Sequence, residues 1–303
     1  MIASVIVVLL LSVTGISSLP NEKLLKDYAM IMSHDAATGE INQIRDKIPN
    51  IVLASAQTQS KSLVGQLACG SRSFDYRPYY SNGTVYASHG IVVIRKPMND
   101  SVSEIIKWVN RNPSDLVILY LSHFAGDDGC QEAVTDILDF WNVPIISTCT
   151  DFSTLSYNEA KTMSARSNGG YLLGIVDCVD EVYDSSVECY VKDVKTNETS
   201  VCIESNNNAL VFNHLADYAH NASAVSHSGL WMNQLHWQYG VESTVLQFYY
   251  NSTVVDDTTL SGVNTWVLDN IRNKSWTNLN FVELNEVCAS GKDIYEALKL
   301  YDA

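Results

Sequence analysis

Positive charge is scarce in this chain: 19 Lys and Arg stand against 34 Asp and Glu in 303 residues, a formal net charge of −15. So acidic a protein has no electrostatic grip on nucleic acid or on an anionic membrane surface, which excludes binding by charge alone. Long apolar runs are also scarce. The one that exists, Ile2 to Val13, is followed by the small residues Gly15, Ser17 and Ser18 and reads as a signal peptide over residues 1–18, although no Lys or Arg precedes its apolar core. It is too short to span a bilayer, and no later segment approaches the roughly eighteen uninterrupted apolar residues that a spanning helix needs. The C-terminal EALKLYDA lacks the apolar tail of a lipid-anchor signal. There is no His-Glu-x-x-His, and His123, His214, His220, His227 and His236 have no spacing that sets two ligands on one helix face, so a zinc site is not expected. Internal repeats and low-complexity segments are absent as well.

What is present points to a eukaryotic secretory route. Asn-x-Ser/Thr sequons occur at Asn82, Asn99, Asn197, Asn221, Asn251 and Asn273. Seven cysteines suit an oxidising compartment. Cys130 with Cys149 and Cys189 with Cys202 are spaced for short disulfide-closed loops; Cys69, in an apolar segment, is the expected odd thiol, which leaves Cys178 and Cys288 as a third pair. Spacing alone does not fix that connectivity. The expected product is a secreted monomer in which residues 19–303 form a single domain, about 285 residues being enough for one large core.

Apolar runs alternate with amphipathic helical patterns, the mark of parallel strands joined by crossover helices. Strands are predicted over 28–33, 72–76, 84–88, 116–121, 171–176, 209–212, 244–249 and 280–285. Helical periodicity is clearest over 101–110, with Ser101 and Glu104 as a capping box, and recurs in Val134, Ile137, Leu138, Trp141 and in Ile294, Ala297, Leu298, Tyr301. Eight strands with interleaved helices predict an irregular (β/α)8 TIM-type barrel, irregular because the second and third strands leave no room for a helix between them. A doubly wound sheet is the alternative. Residues 182–208 read as a disulfide-pinned surface insertion, and Trp231, His236, Trp237 and Tyr239 as the core face of an amphipathic element or, failing that, an interfacial patch.

In such a barrel, reactive side chains project from the C-terminal ends of the strands. The first three predicted strands end in Ser33-His34-Asp35, Phe74-Asp75-Tyr76-Arg77 and Ser88-His89-Gly90. Each residue alone reads as a solvated, capping or ion-paired side chain. Together they supply a base, an acid and a cation, which is what cleaving a phosphodiester requires.

Four blocks, MSHDAATGE at 32–40, GQLACGSRSFDYRPYY at 65–80, VYASHG at 85–90 and NPSDLVILYLSHF at 112–124, resemble the X domain of phosphatidylinositol-specific phospholipases C in order and spacing. The resemblance covers residues 28–124, returns weakly in the last strand, NLNFVELNEV, and lies closer to the metal-independent bacterial type. It implies a PLC-like phosphodiesterase barrel acting on a phospholipid or phosphoinositol headgroup, with transient contact to a membrane surface. His34 falls at the family's general base, His89 at its general acid, and Asp35 at the residue that supports the acid. Arg77, beside the retained Asp75, falls where calcium-using members carry a second carboxylate, and Ser122 where they carry another, so no metal or other cofactor is expected. Asn285 falls where bacterial members have an aspartate behind the base, which implies lowered activity, and Glu283 and Glu286 are read as facing away from it. Asp177, at the end of a predicted strand, is a candidate headgroup contact by position alone. The competing reading is a catalytically weak or inactive secreted lipid-headgroup or glycan-binding protein on the same barrel.

Overall fold

The computed structural model of the chain describes residues 23–182, 208–237 and 252–302. Its strands, in chain order, are β1 Met30–Ser33, β2 Ser73–Tyr76, β3 Pro78–Ser81, β4 Thr84–His89, β5 Val92–Ile94, β6 Leu116–Leu121, β7 Ala125–Gly126, β8 Ile145–Ile146, β9 Tyr171–Val176, β10 Val179–Val182, β11 Leu230–Gln234 and β12 Phe281–Leu284. Eight of them form one sheet in the order β10-β11-β12-β1-β2-β6-β9-β8, with every neighbouring pair parallel. The sheet cannot be open. Only Asp177 and Cys178 separate β9 from β10, a reach of about 11 Å at 3.8 Å per residue. Their places in the strand order are six spacings apart, about 29 Å across a flat sheet. The sheet therefore curls into an irregular barrel, and a disulfide between Cys149, after β8, and Cys178, before β10, spans the same seam.

Side-chain alternation gives the barrel an interior that changes character along its axis. Met30 and Met32, Ile118 and Tyr120, Leu173 and Ile175, Leu230 and Met232, and Phe281 pack together as the apolar interior. Continuing in the same register toward the C-terminal ends, these stripes run into His34, Ser122, Asp177, Gln234, His236, Glu283 and Asn285. β2 continues the pattern with Ser73, Asp75 and Arg77. The outer face is mainly apolar: Ile31, Val282 and Leu284 pack beneath the helices Val263–Arg272 and Gly291–Tyr301, and Phe74, Leu119 and Leu121 beneath Met98–Val109, with Ser33 and Asn233 as buried polar exceptions.

Several expectations are corrected. The 84–88 segment is not a barrel strand: β4 belongs to a second sheet, ordered β5-β4-β3-β7, and pairs antiparallel with β3 and β5. Asn82 and Gly83 both take positive φ, 50° and 76°, the Asn-Gly signature of a two-residue hairpin, so the chain turns back where a crossover would have needed a helix. Residues 209–212 lie in the helix Asn208–Ala224, whose buried Leu215, Ala219 and Ala222 keep helical spacing where a short apolar run alone suggested a strand. The strand β11 takes its place in the barrel. The helix predicted from Ser101 begins at Met98 after Pro97, so Ser101 is a buried interior position and Glu104 accepts from Lys96 Nζ at 2.6 Å instead of capping.

The cysteine pairing also differs. Cys69 bonds Cys288, Cys149 bonds Cys178, and among the described cysteines Cys130 is free and buried. Parallel neighbours explain the second bond: Ile146 pairs with Ile175, so the residues three further on in each strand, Cys149 and Cys178, arrive side by side. Cys130 instead opens the helix Cys130–Phe140, on the other side of β8 in the chain. The predicted signal peptide 1–18, Cys189, Cys202, the sequons at Asn197 and Asn251, Tyr239, the strand 244–249 and nearly all of the 182–208 insertion lie outside the described residues. Of the aromatic group, Trp231, His236 and Trp237 are buried, as the core reading has it, though on and just after a strand.

Peptide mapping of unreduced protein should recover Cys69–Cys288 and Cys149–Cys178 linked fragments, with Cys130 alkylated only after unfolding; a Cys130–Cys149 fragment would contradict the pairing. Cys69–Cys288 spans 219 residues, and its loss should cost on the order of 5 kcal/mol in a reversible denaturation.

Candidate active site

His34 and Asp35 follow β1, Asp75 and Arg77 lie at the end of β2, Asn285 follows β12, and His89 ends β4, which brings it to the barrel rim from the hairpin sheet. They converge at a cavity of about 610 Å³ lined by His34, Asp35, Arg77, His89 and Asn285, with Val52, Ala56, Ile91, Val92 and Trp237 as apolar wall. The loop after β1 is held by side chains of the segment after the helix Asn50–Ala56. Thr58 Oγ1 and Gln59 Nε2 donate to the His34 carbonyl at 2.8 and 3.2 Å, and Gln59 Nε2 also donates to the Leu284 carbonyl at 2.8 Å. One glutamine thus ties the ends of β1 and β12 together. Asp35 itself sits in the left-handed region, φ 44° and ψ 47°, a conformation that costs a non-glycine residue energy and recurs at functional sites.

Asp35 is the hub. Its Oδ2 lies 3.2 Å from Nε2 of His34 and 3.2 Å from Nε2 of His89, and its Oδ1 lies 3.0 Å from Nε of Arg77. Arg77 Nη2 reaches Asp75 Oδ2 at 2.9 Å, and the same Asp75 oxygen accepts from the Asp35 backbone N–H at 3.0 Å. Burial pushes the Asp35 carboxyl above its usual range, with Asp75 adding to the shift and His89 and Arg77 opposing it. Burial also opposes the charge on Arg77, but Asp75 and Asp35 outweigh it and hold the guanidinium pKa above the ordinary arginine value.

The two rings have different partners behind them. His89 Nδ1 is 2.7 Å from the Ala56 carbonyl, which only accepts, so Nδ1 carries a hydrogen and Nε2 is the atom that faces Asp35 and the cavity. His34 Nδ1 is 2.7 Å from Asn285 Oδ1; with that oxygen accepting, the lone pair lies on Nε2. His34 is held well below the usual histidine pKa, first by burial, then by the neighbouring His236 and Arg77, with the Asn285 hydrogen bond opposing. A neutral His34 is what a general base requires.

Two residues that sequence reasoning set aside complete the site. His236 stacks on His34, ring centroids 4.1 Å apart and planes 16° from parallel, and its Nε2 lies 3.1 Å from Glu283 Oε2. Glu283 is two residues before Asn285 in an extended segment and so shares its face, which corrects the reading that turned it away. Glu286 does leave the site: Ser60 N and Oγ donate to its carboxylate at 2.7 and 2.8 Å. Ser122 is buried, 2.8 Å from His123 Nδ1, and Asp177 is exposed and lines a separate cavity beside Cys149 and Cys178; neither lines the cavity that holds the histidines.

His34, His236 and Glu283 bring three potential metal ligands within 4.8 Å of one another, as do His34, Asp35 and Asp75. Neither set suits an ion as it stands. Stacked rings hold their lone pairs in near-parallel planes that do not converge, and in the second set Arg77 already supplies the positive charge between Asp35 and Asp75. Replacing Arg77 with Met would leave two buried carboxylates without that charge, and should cost about 3–5 kcal/mol of stability by urea denaturation; a loss under about 1 kcal/mol would mean that the cluster does not depend on the guanidinium.

No protein-family model and no curated protein matches the chain. Solved structures do. A phosphatidylinositol-specific phospholipase C from Staphylococcus aureus carrying pentafluorophenylalanine superposes with a TM-score of 0.57 at 12% identity, covering 90% of this chain and 93% of that one. The phosphatidylinositol-specific phospholipase C from Listeria monocytogenes gives a TM-score of 0.56 at 16% identity, covering 92% and 96%. The chain thus has the irregular TIM-type barrel fold of the bacterial phosphatidylinositol-specific phospholipases C.

Proposed function

We propose that the chain is a secreted phosphodiesterase that cleaves an inositol phospholipid, or a glycosylated inositol lipid, by histidine acid–base catalysis without calcium. The observation that carries this reading is the shared oxygen: Nε2 of His34 and Nε2 of His89 both face Asp35 Oδ2 at 3.2 Å, with Arg77 on the other carboxylate oxygen. In this reaction His34 Nε2 takes the proton of the inositol 2-hydroxyl, and that oxygen attacks phosphorus. The bond to the glyceride oxygen breaks, and His89 Nε2 gives its proton to the departing oxygen, leaving a cyclic inositol phosphate and a diglyceride. One imidazolium is lost at His89 as one forms at His34, so Asp35 has a charged partner before and after the step. Arg77 Nη1 has no protein partner among the described residues and is free to bond a phosphoryl oxygen, the role a metal ion would otherwise fill.

The surroundings suit a lipid substrate and a secretory origin. Ile91, on the cavity wall, is 91% exposed, and Ile44 is equally exposed; apolar side chains so placed serve contact with a bilayer surface better than solubility. All four described sequon residues, Asn82, Asn99, Asn221 and Asn273, are exposed, and among the described residues no helix is long and apolar enough to cross a membrane.

Leaving-group chemistry separates the two histidines. His34→Ala and His89→Ala should each lower kcat/KM on phosphatidylinositol by about a hundredfold or more. A nitrophenyl phosphoinositol, whose leaving group needs little protonation, should recover most of the loss in His89→Ala and little of it in His34→Ala. Equal recovery in both variants would overturn the assignment of acid and base.

A further inference from the structure

His236 and Glu283 are buried titratable groups beside the base that the reaction above leaves unused. Their side chains are 0% and 1% exposed. His236 Nδ1 lies 3.1 Å from the Trp237 carbonyl, which only accepts, so that nitrogen carries a hydrogen. The other nitrogen, Nε2, lies 3.1 Å from Glu283 Oε2, and a proton belongs between them. Glu283 Oε1 is buried with no hydrogen-bond partner, an expensive state for a charged carboxylate. Burial pushes the Glu283 carboxyl up to about 7, with the hydrogen bond and charge of His236 opposing.

The charges of the barrel floor show why the pair keeps that proton. Asp35, Asp75 and Glu283 are negative and Arg77 is positive, so neutrality needs two further protons among the three histidines and the carboxyls. The proposed reaction puts one on His89. The base, His34, must be without one. Asp35 faces His89 and Arg77, whose charges favour its ionised form, and its oxygens are not aligned for a hydrogen bond to His34. Glu181 is exposed at the cavity edge, so the second proton falls to the hydrogen-bonded pair His236 and Glu283.

We propose that Glu283 and His236 hold this proton between them and pass it from His236 to Glu283 when His34 is protonated, so that the ring stacked on the base loses its charge as the base gains one. The step balances within the pair: the Nε2–H bond of His236 breaks and an O–H bond forms at Glu283 Oε2, with no proton entering or leaving. It rests on the assignment of His34 as the base. Asn285 orients His34 without offering charge, and the pair answers the new charge by moving its own. His236 and Glu283 are then positioning residues, in contact with the base and not with the substrate.

The test needs no substrate. In uniformly nitrogen-15-labelled wild-type protein, imidazole signals are followed while pH is lowered through the titration of His34. An ordinary histidine gains a proton as pH falls; here the Nε2 signal of His236 should move toward the bare, pyridine-type position in step with protonation of His34. Movement in the ordinary direction, or none, would overturn the proposal. Glu283→Gln removes the acceptor, so His236 should stay bare at Nε2 throughout. Its kcat should fall about tenfold, less than the roughly hundredfold of losing an acid or base outright, with KM within about twofold, and Asn285→Asp in the same background should restore most of it. Undiminished kcat in Glu283→Gln would also overturn the proposal. Should the variant not fold, the wild-type titration decides alone. A wild type without turnover would defeat the phosphodiesterase reading, and the titration would then still decide whether the pair moves its proton.

Discussion

One buried carboxylate organises this molecule's barrel floor. Asp35 is 1% exposed and meets two imidazoles and a guanidinium at 3.0–3.2 Å. A carboxylate removed from water is stable only when neighbouring charges and hydrogen bonds replace its hydration. Three elements that end at the rim contribute to that replacement: His34 from β1, Arg77 from β2 and His89 from the hairpin sheet, with Asp75 bracing both the Asp35 backbone and the guanidinium. The left-handed turn at Asp35 is held against its conformational cost by the same contacts.

The barrel makes such a cluster tolerable by segregating it. Alternation sends every second side chain inward, and the inward stripes of β1, β6, β9, β11 and β12 are apolar near the strand's start and polar at its end, while that of β2 is polar throughout. Met30 and Met32 lead to His34, Phe281 to Glu283 and Asn285, Leu230 and Met232 to Gln234 and His236. The apolar half supplies the burial that stabilises the fold. The polar half gives up some of that stability to charges held close together, which is where shifted proton affinities arise.

Much of this was legible in the chain. The strands β1, β2, β6, β9 and β12 and the strand-end residues His34, Asp35, Asp75, Arg77, His89 and Asn285 come from short local runs, which survive folding unchanged. What was missed depends on partners distant in sequence. Whether Cys149 meets Cys130 or Cys178 is decided by which strand lies beside β8. The place of β11 in the barrel was hidden because Leu230–Gln234 is short and Trp231, with His236 and Trp237 after it, fits a helix as well. Two signals were local and available: Asn82-Gly83 announces the hairpin, and the two-residue spacing of Glu283 and Asn285 puts both on one face.

The account stands on a phosphodiester reaction run by histidines and an arginine, and phosphorus NMR of purified protein with phosphatidylinositol in excess calcium chelator tests that most directly. It predicts the signal of a five-membered cyclic inositol phosphate, growing with time in the wild type and absent with His34→Ala. No phosphorus-containing product, or a product that forms only when calcium is restored, would contradict it.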